Sequence, residues 1–331
     1  DRRYRAVVEL IRHPNKEQKP HPTQNKQNTE NKSMTSPLSI KSFVTLHNGV
    51  HMPLLGLGTY KSIDTIQQAI QTAYFQCGIT HFDTAAFYQN EREIGNALKR
   101  LNIARQDVFL TSKLWYTEHG YDKATRAFNE SIQKLGTEYL DLYLVHWPGT
   151  TGGGDGGASA NARLRRETWR ALEDLYRAGK VKAIGVSNYT EKHLREMLDD
   201  GSEFKVDIAP MVNQFELHPL LTQKSLIRYC EQHRIVVESY SPFAKGKLLS
   251  GNTSENGVLH QLATKYGVSV AQLIVRWTLQ QGIVCIPKSD RPQRIASNAN
   301  VFHFEISDED MKKIDDMNQD YHCTWNPYEV E

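Results

Sequence analysis

Four side chains of complementary acid–base character stand out in the sequence: Asp83, Tyr88, Lys113 and His146. A phenol is a weak acid near neutrality, because its reference pKa is about 10. A neighbouring ammonium stabilises the phenolate and lowers that value, and Lys113 supplies one. Asp83 supplies a carboxylate that keeps the ammonium charged and in place. A neutral His146 donates a hydrogen bond to a substrate oxygen and orients it. Together the four suit protonation of an alkoxide formed when hydride reaches a carbonyl carbon. Taken singly, an Asp or a Lys at the end of an element usually caps it or faces solvent. The set therefore has meaning only if the fold brings its members together.

The elements that must do so follow from periodicity. From about residue 43, short β-rich runs alternate with amphipathic helical runs. Strands are predicted at 54–58, 80–83, 108–113, 140–146, 181–187, 211–214, 235–239 and 284–286. Several are nearly continuous apolar runs, as parallel strands covered on both faces require. Helical spacing joins Ala124, Ala127, Phe128, Ser131, Ile132 and Leu135, and also Ala171, Leu172, Leu175 and Tyr176. It recurs in Leu226, Tyr229, Cys230 and His233, and in Leu259, Leu262, Ala263 and Tyr266. Asn90 with Glu93 resembles a capping box opening a helix over 91–101, and Ser307 with Asp310 caps a final helix over 307–317. Gly136 and Gly179 sit where helices should stop.

Eight strand–helix alternations predict an α/β fold, a (β/α)₈ TIM barrel. A doubly wound sheet binding a dinucleotide would carry a glycine fingerprint after its first strand. Here Gly56 and Gly58 are followed by Lys61 where the third glycine belongs. Asn48-Gly49 predicts a β-hairpin closing the barrel bottom, and the tail from Tyr321 is expected over the mouth.

In such barrels chemistry sits at the strand C-termini. Those positions hold Asp83 and Tyr88, Lys113 and Trp115, His146 and Trp147, Ser187 and Asn188, and Gln214 and Glu216. The seventh and eighth strands add Ser239, Tyr240 and Ser241, then Lys288 and Ser289. Lys288, Ser289 and Arg294 suit a phosphate. Trp115 and Trp147 are expected to line a substrate pocket, ordinary rim packing being the alternative. Glu216 and His218 have the look of metal ligands but no third ligand nearby, so no metal is expected. The glycine-rich run 152–157 lacks the residues of a phosphate cradle, does not directly open a helix, and reads as a loop after the fourth strand. Cys323 has two readings, a reactive thiol near the substrate or a neutral exposed cysteine.

The bulk properties narrow the rest. Of 331 residues, 39% are hydrophobic and 24% charged, and the net charge is only +2, so no broad field attracts nucleic acid or anionic membrane. No apolar run reaches the roughly 18–20 residues of a membrane span. Four cysteines without CxxC pairing argue against a disulfide scaffold or zinc cluster and fit the reducing cytoplasm. Residues 1–40 are expected to be a disordered polar extension, basic over 1–33, and 41–331 a single barrel domain. A mitochondrial-type leader is the functional alternative for the extension, and Met34 the expected start of the folded protein. Nothing suggests a coiled coil, and a monomer is expected.

The motifs carry a resemblance. Residues 77–91 (CGITHFDTAAFYQNE) look like the first signature of the aldo-keto reductase superfamily. Residues 140–148 (LDLYLVHWP) resemble its fourth-strand signature, and 286–289 (IPKS) with Arg294 and Asn298 resemble its C-terminal one. Segments 111–115, 185–188 and 213–219 are similar as well, so the match runs from about 43 to 328. The resemblance implies NADPH-dependent reduction of aldehydes or ketones, with a small carbonyl compound as partner. By position Tyr88 would be the acid, Lys113 and Asp83 its tuning partners, and His146 the carbonyl-orienting residue. Ser187, Asn188 and Gln214 would hold the nicotinamide carboxamide, and Tyr240 would stack on the ring. Lys288, Ser289 and Arg294 would hold the 2′-phosphate, with Asn298 near the adenine, where Ser297 departs from the Glu of many members. Residues 209–221 are similar to microbial members labelled prostaglandin F synthase, a narrower alternative. A regulatory protein sensing the cofactor on the same scaffold is another.

Overall fold

The computed structural model describes residues 37–150, 157–199, 201–202, 204–251 and 257–331. Most of the predicted extension and of the glycine-rich run lies outside these residues. The chain enters through an antiparallel hairpin, β1 (Phe43–Thr45) and β2 (His51–Pro53), in which Val44 pairs with Met52. Its Asn48-Gly49 turn packs where expected. Asn48 Nδ2 donates to the Lys182 carbonyl at 2.9 Å, and His47 Nε2 meets the Ala209 carbonyl at 3.3 Å. Both carbonyls precede strands of the barrel, so the hairpin covers its N-terminal end.

Eight parallel strands follow: β3 (Gly56–Gly58), β4 (His81–Asp83), β5 (Phe109–Leu114), β6 (Leu142–Val145), β7 (Ile184–Ser187), β8 (Val212–Glu216), β9 (Val236–Tyr240) and β10 (Val284–Cys285). Each pairs with the next in sequence. Parallel bridges from Leu55 to Cys285 and from Gly58 to Lys288 join the last strand to the first, and the sheet closes as a (β/α)₈ barrel. Residues 38–331 form one compact unit.

The amphipathic runs become the outer helices. They include α1 (Ile66–Gln71), α2 (Glu91–Arg100), α3 (Tyr121–Leu135), α4 (Gly157–Arg177), α5 (Glu191–Leu198) and α6 (Lys224–Gln232). Then come α7 (Gly257–Tyr266), α8 (Val270–Gln280), α9 (Pro292–Ala299) and α10 (Asp308–Asp315). In α3 the residues Ala124, Ala127, Phe128, Ser131 and Leu135 are buried against the sheet, the stripe that the spacing predicted. Gly136 ends this helix at φ +64°, a conformation that a side chain would strain. Ser307 caps α10 by accepting from the Asp310 amide, as expected.

Two local expectations fail. Asn90 precedes α2 but does not cap it. Its side chain is drawn inward instead: Nδ2 donates to the carbonyls of Thr59 and Ser62 at 2.8 and 2.9 Å, and Oδ1 accepts from Thr84 Oγ1 at 2.6 Å. These three bonds, two of them long-range, outweigh one local cap, and they tie the turn after β3 to the end of β4. The glycine-rich run does lead into a helix, since Gly157 is the first residue of α4. Asn90→Ala should strand the carbonyls it satisfies and lower stability by on the order of 2–3 kcal/mol, read from the urea midpoint. A change below about 0.5 kcal/mol would show that this residue does not hold the turn.

Candidate active site

The acid–base set forms at the mouth of the barrel. Asp83 ends β4, Lys113 lies near the end of β5, and His146 directly follows β6. Tyr88 reaches them because a single 3₁₀ turn, Ala86–Tyr88, folds the chain back over β4 before Gln89 breaks it at φ +55°. Lys113 Nζ donates to Asp83 Oδ1 at 2.7 Å, to the Thr84 carbonyl at 2.9 Å and to the Tyr88 hydroxyl at 3.5 Å. The His146 ring meets the Tyr88 ring edge-on, with centroids 5.6 Å apart.

The electrostatics depart from the expectation in one respect. The Tyr88 phenol is not lowered: burial first, and then the Asp83 carboxylate, push it well above its ordinary value. Tyr88 is only half-buried as a residue, but the surroundings of its hydroxyl are dense. The phenol therefore rests as a fully protonated acid. Burial and the Lys113 ammonium hold His146 well below its usual range, so its imidazole is neutral. Burial raises Asp83 from the usual carboxylate value, opposed by Lys113 and by the hydrogen bond from Gln214.

A second group lines the adjoining strand ends. Ser187 Oγ donates to the Gln214 carbonyl at 2.8 Å. Asn188, at φ +62°, donates from Nδ2 to the His146 carbonyl at 2.9 Å and accepts from the Tyr240 hydroxyl at 2.6 Å. Gln214 Nε2 donates to Asp83 Oδ2 at 2.9 Å. Ser187, Asn188, Gln214 and Tyr240 are thus joined to the acid–base set. Lys288, Ser289, Arg294 and Asn298 lie apart from it, past β10 and along α9. Lys288 and Arg294 are exposed cations, and Ser289 and Asn298 are buried. Lys288 pairs with Asp290, Ser289 Oγ accepts from the Arg291 amide, and Arg294 has no acidic partner among the described residues. This cationic opening of a helix suits a phosphate.

Aromatic rings wall the mouth. Trp115 stacks on Phe87 at 4.1 Å between centroids, and Trp325 meets Trp115 at 5.8 Å and Trp147 at 5.7 Å. Tyr60 stands over Tyr88 at 5.0 Å. Trp115 and Trp147 were expected here, whereas Tyr60, Phe87 and Trp325 were not. Tyr60 follows the first barrel strand, so the rule that found the others would have found it. Phe87 adjoins Tyr88, but Trp325 had no local signal. A groove of about 840 Å³, lined by Tyr116, His119, Tyr121, Asn161, Arg163 and Glu167 among others, opens outside the wall and contains none of the four acid–base residues.

Trp325 is placed by a latch. The tail is tied to Leu220 through the amides of Gln319 and Tyr321, and farther on to His193 through the Val330 carbonyl. Between these points the buried Glu216 carboxylate accepts from the amides of Cys323 and Thr324 at 2.7 and 3.0 Å and from the Thr324 hydroxyl. Thr324 Oγ1 also meets the Tyr240 hydroxyl at 3.1 Å. Glu216 and His218 do have a neighbour of ligand type, contrary to the sequence reading. Cys323 Sγ lies with their ligand atoms inside 4.8 Å. The carboxylate is already engaged by the tail and by His218 Nε2 at 2.8 Å. Burial and Glu216 push the Cys323 thiol up to about 12, so it is not a reactive thiolate.

Residues 52–319 match the aldo/keto reductase family. The chain is 45% identical over 300 residues to the glyoxal reductase of Bacillus subtilis, covering 89% of this chain and 99% of that protein. It is 41% identical to the 9,11-endoperoxide prostaglandin H2 reductase of Trypanosoma cruzi, over 86% of this chain and 94% of that one. Among solved structures, a variant of Gox0644 in complex with NADPH superimposes with a TM-score of 0.76 at 36% identity, over 87% of this chain and 98% of that one.

The latch has a pH signature. Burial opposes ionisation of Glu216, yet the hydrogen bonds from His218, Cys323 and Thr324 prevail and hold it at about 2, below the ordinary 4.5. Its contribution to stability is therefore complete above the ordinary value and is lost as pH falls toward about 2. Wild-type protein should lose more urea stability between pH 5 and 3 than Glu216→Gln does, and equal losses would remove the latch from this account. With the hairpin, the closed barrel and the acid–base set in place, the matching signatures have one reading: the chain belongs to the aldo/keto reductase family.

Proposed function

We propose that the protein is an NADPH-dependent carbonyl reductase that converts aldehydes and ketones to alcohols, an alcohol dehydrogenase of the NADP-dependent type. The observation that carries this reading is the Lys113 ammonium, held between Asp83 at 2.7 Å and the Tyr88 hydroxyl at 3.5 Å, beside a neutral His146. Ser187, Asn188 and Gln214 would hold the nicotinamide carboxamide and Tyr240 the ring face. Lys288, Ser289 and Arg294 would hold the 2′-phosphate, with Asn298 near the adenine. The fit rests on chemistry: amide and hydroxyl groups converge at the strand ends, and the exposed cations Lys288, Arg291 and Arg294 gather at the start of α9. NADPH in complex with Gox0644 supports the cofactor. When bound, the nicotinamide supplies the hydride.

The chain's own residues handle the proton. His146 orients the carbonyl oxygen, and the developing alkoxide takes the Tyr88 proton. Lys113 stabilises the tyrosinate left behind, and Asp83 keeps Lys113 in place. A phenol with a raised pKa stays protonated until an alkoxide, a far stronger base, forms beside it. The aromatic wall of Phe87, Trp115, Trp147 and Trp325 sheds water and favours carbonyls carrying a flat apolar group. No described helix is long and apolar enough to cross a membrane, and four free cysteines suit a reducing compartment such as the cytoplasm.

A second reading, reduction of a prostaglandin endoperoxide, draws on the likeness to the Trypanosoma cruzi enzyme. NADPH consumption with an aromatic aldehyde, a sugar aldehyde, a dicarbonyl and an endoperoxide separates the two.

Tyr88→Phe should bind NADPH nearly as wild type does and lose on the order of 10² or more in kcat. Unchanged turnover would overturn the assignment of the acid. Replacing both Lys288 and Arg294 by Ala should weaken NADPH binding at least about tenfold while sparing NADH. Equal weakening of both would refute the 2′-phosphate site.

A further inference from the structure

Below the acid–base set lies a buried acid that no step above uses. Glu238, in the middle of β9, is fully enclosed in the barrel interior. Its Oε2 accepts from Gln214 Nε2 at 2.9 Å, and the same nitrogen donates to Asp83 Oδ2 at 2.9 Å. Its Oε1 has no hydrogen-bond partner and faces His81 Nε2 across 3.6 Å. An ionisable group with an orphaned oxygen costs several kcal/mol in such a place, and an apolar side chain would avoid that. Its presence there calls for a use.

The geometry points to Glu238 as a positioning residue for the cofactor. With Asp83 it presents two carboxyl groups to one amide, engages both hydrogens of Gln214 Nε2, and leaves the Gln214 oxygen as the group offered to the nicotinamide carboxamide. A flipped amide would set its carbonyl oxygen against the Asp83 carboxylate. Gln214 Oε1 has no partner among the described residues, in keeping with that role. This inference rests on the cofactor reading above and adds to it the residue that fixes the amide's sense.

A charge effect accompanies it. Burial, then Asp83, push the Glu238 carboxyl up to about 8. The groups facing it are His81 and Asp83 from β4, Lys113 from β5, Gln214 from β8 and Cys285 from β10, with Tyr88 above. Burial holds His81 down to about 3 and pushes Cys285 up to about 12. Burial raises the Asp83 carboxyl as well, opposed by the Lys113 ammonium. Ionisation of Glu238 in mildly alkaline solution would then add a negative charge beneath the strand ends proposed to hold the nicotinamide, which is positively charged when oxidised.

The test uses the full chain and follows nucleotide binding by protein fluorescence, so it needs no substrate. NADP⁺ is compared with its 3-acetylpyridine analogue, whose acetyl group has no N–H for the Gln214 oxygen to accept. Wild type should prefer NADP⁺ by about tenfold, the worth of one such bond. Glu238→Leu, which frees the amide to turn, should reduce the preference to about threefold or less. Glu238→Gln, whose carbonyl still accepts from Gln214, should retain it. A wild-type preference near one, or an undiminished preference in Glu238→Leu, overturns the proposal. If Glu238→Leu does not fold, the pH arm decides. Wild-type affinity for NADP⁺ should rise several-fold between about pH 7 and 9, and Glu238→Gln should lose that rise. A rise that survives in Glu238→Gln overturns the proposal. Wild-type protein that binds neither nucleotide overturns the cofactor reading and this inference with it.

Discussion

The ion pair between Lys113 and Asp83 is the interaction on which the rest of the site depends. Both groups are shut off from solvent, and removing either would leave an uncompensated buried charge at about 3–5 kcal/mol. An ammonium has three hydrogens, and Lys113 spends them on Asp83, the Thr84 carbonyl and the Tyr88 hydroxyl. Such a group tolerates little freedom in its neighbours. Parallel register sets Asp83 opposite Thr111, two residues before Lys113 on the same face of β5. The pair thus exists only because two strands are aligned to the residue.

From this pair the constraint spreads outward. Asp83 has a second oxygen, and Gln214 satisfies it from the far side of the barrel. Gln214 in turn takes the carbonyl side of Ser187's hydrogen bond and the amide side of Glu238's. Tyr240, bonded to Asn188 and touching Thr324, carries the connection to the tail. Glu216 then fixes the tail, and the tail sets Trp325 over the mouth. The strand-end amides and hydroxyls and the aromatic wall of the mouth therefore share one hydrogen-bonded frame. Local shifts in it are costly, because each buried polar group has few alternatives to its partner.

Much of this was legible in the chain itself. The alternation of β-rich and amphipathic runs specified eight strands with their helices, and the C-terminal ends of those strands held the acid–base side chains. The failures share a cause. Asn90 had the spacing of a cap but found three better partners from other segments. The Tyr88 phenol stood next to an ammonium, yet the dense packing around it outweighed that neighbour. Cys323 stood 105 residues beyond His218, and only the folded tail brings them together. Glu238 left one faint mark, an acid directly after the apolar run of Ile235, Val236 and Val237.

Periodicity, turn chemistry and residue type act over a few positions, and so the sequence by itself determined the elements, their order and the acid–base character of their ends. Which lone pairs meet which donors is a matter of closure. It required the barrel to join β10 to β3 and the tail to cross the mouth, steps that bring together groups more than a hundred residues apart. Burial is likewise a property of the whole assembly. Only the tertiary structure decided that the phenol would be a held acid, that Glu216 would be a latch, and that a second carboxyl would sit below the first, because solvent exclusion and long-range pairing have no local signature.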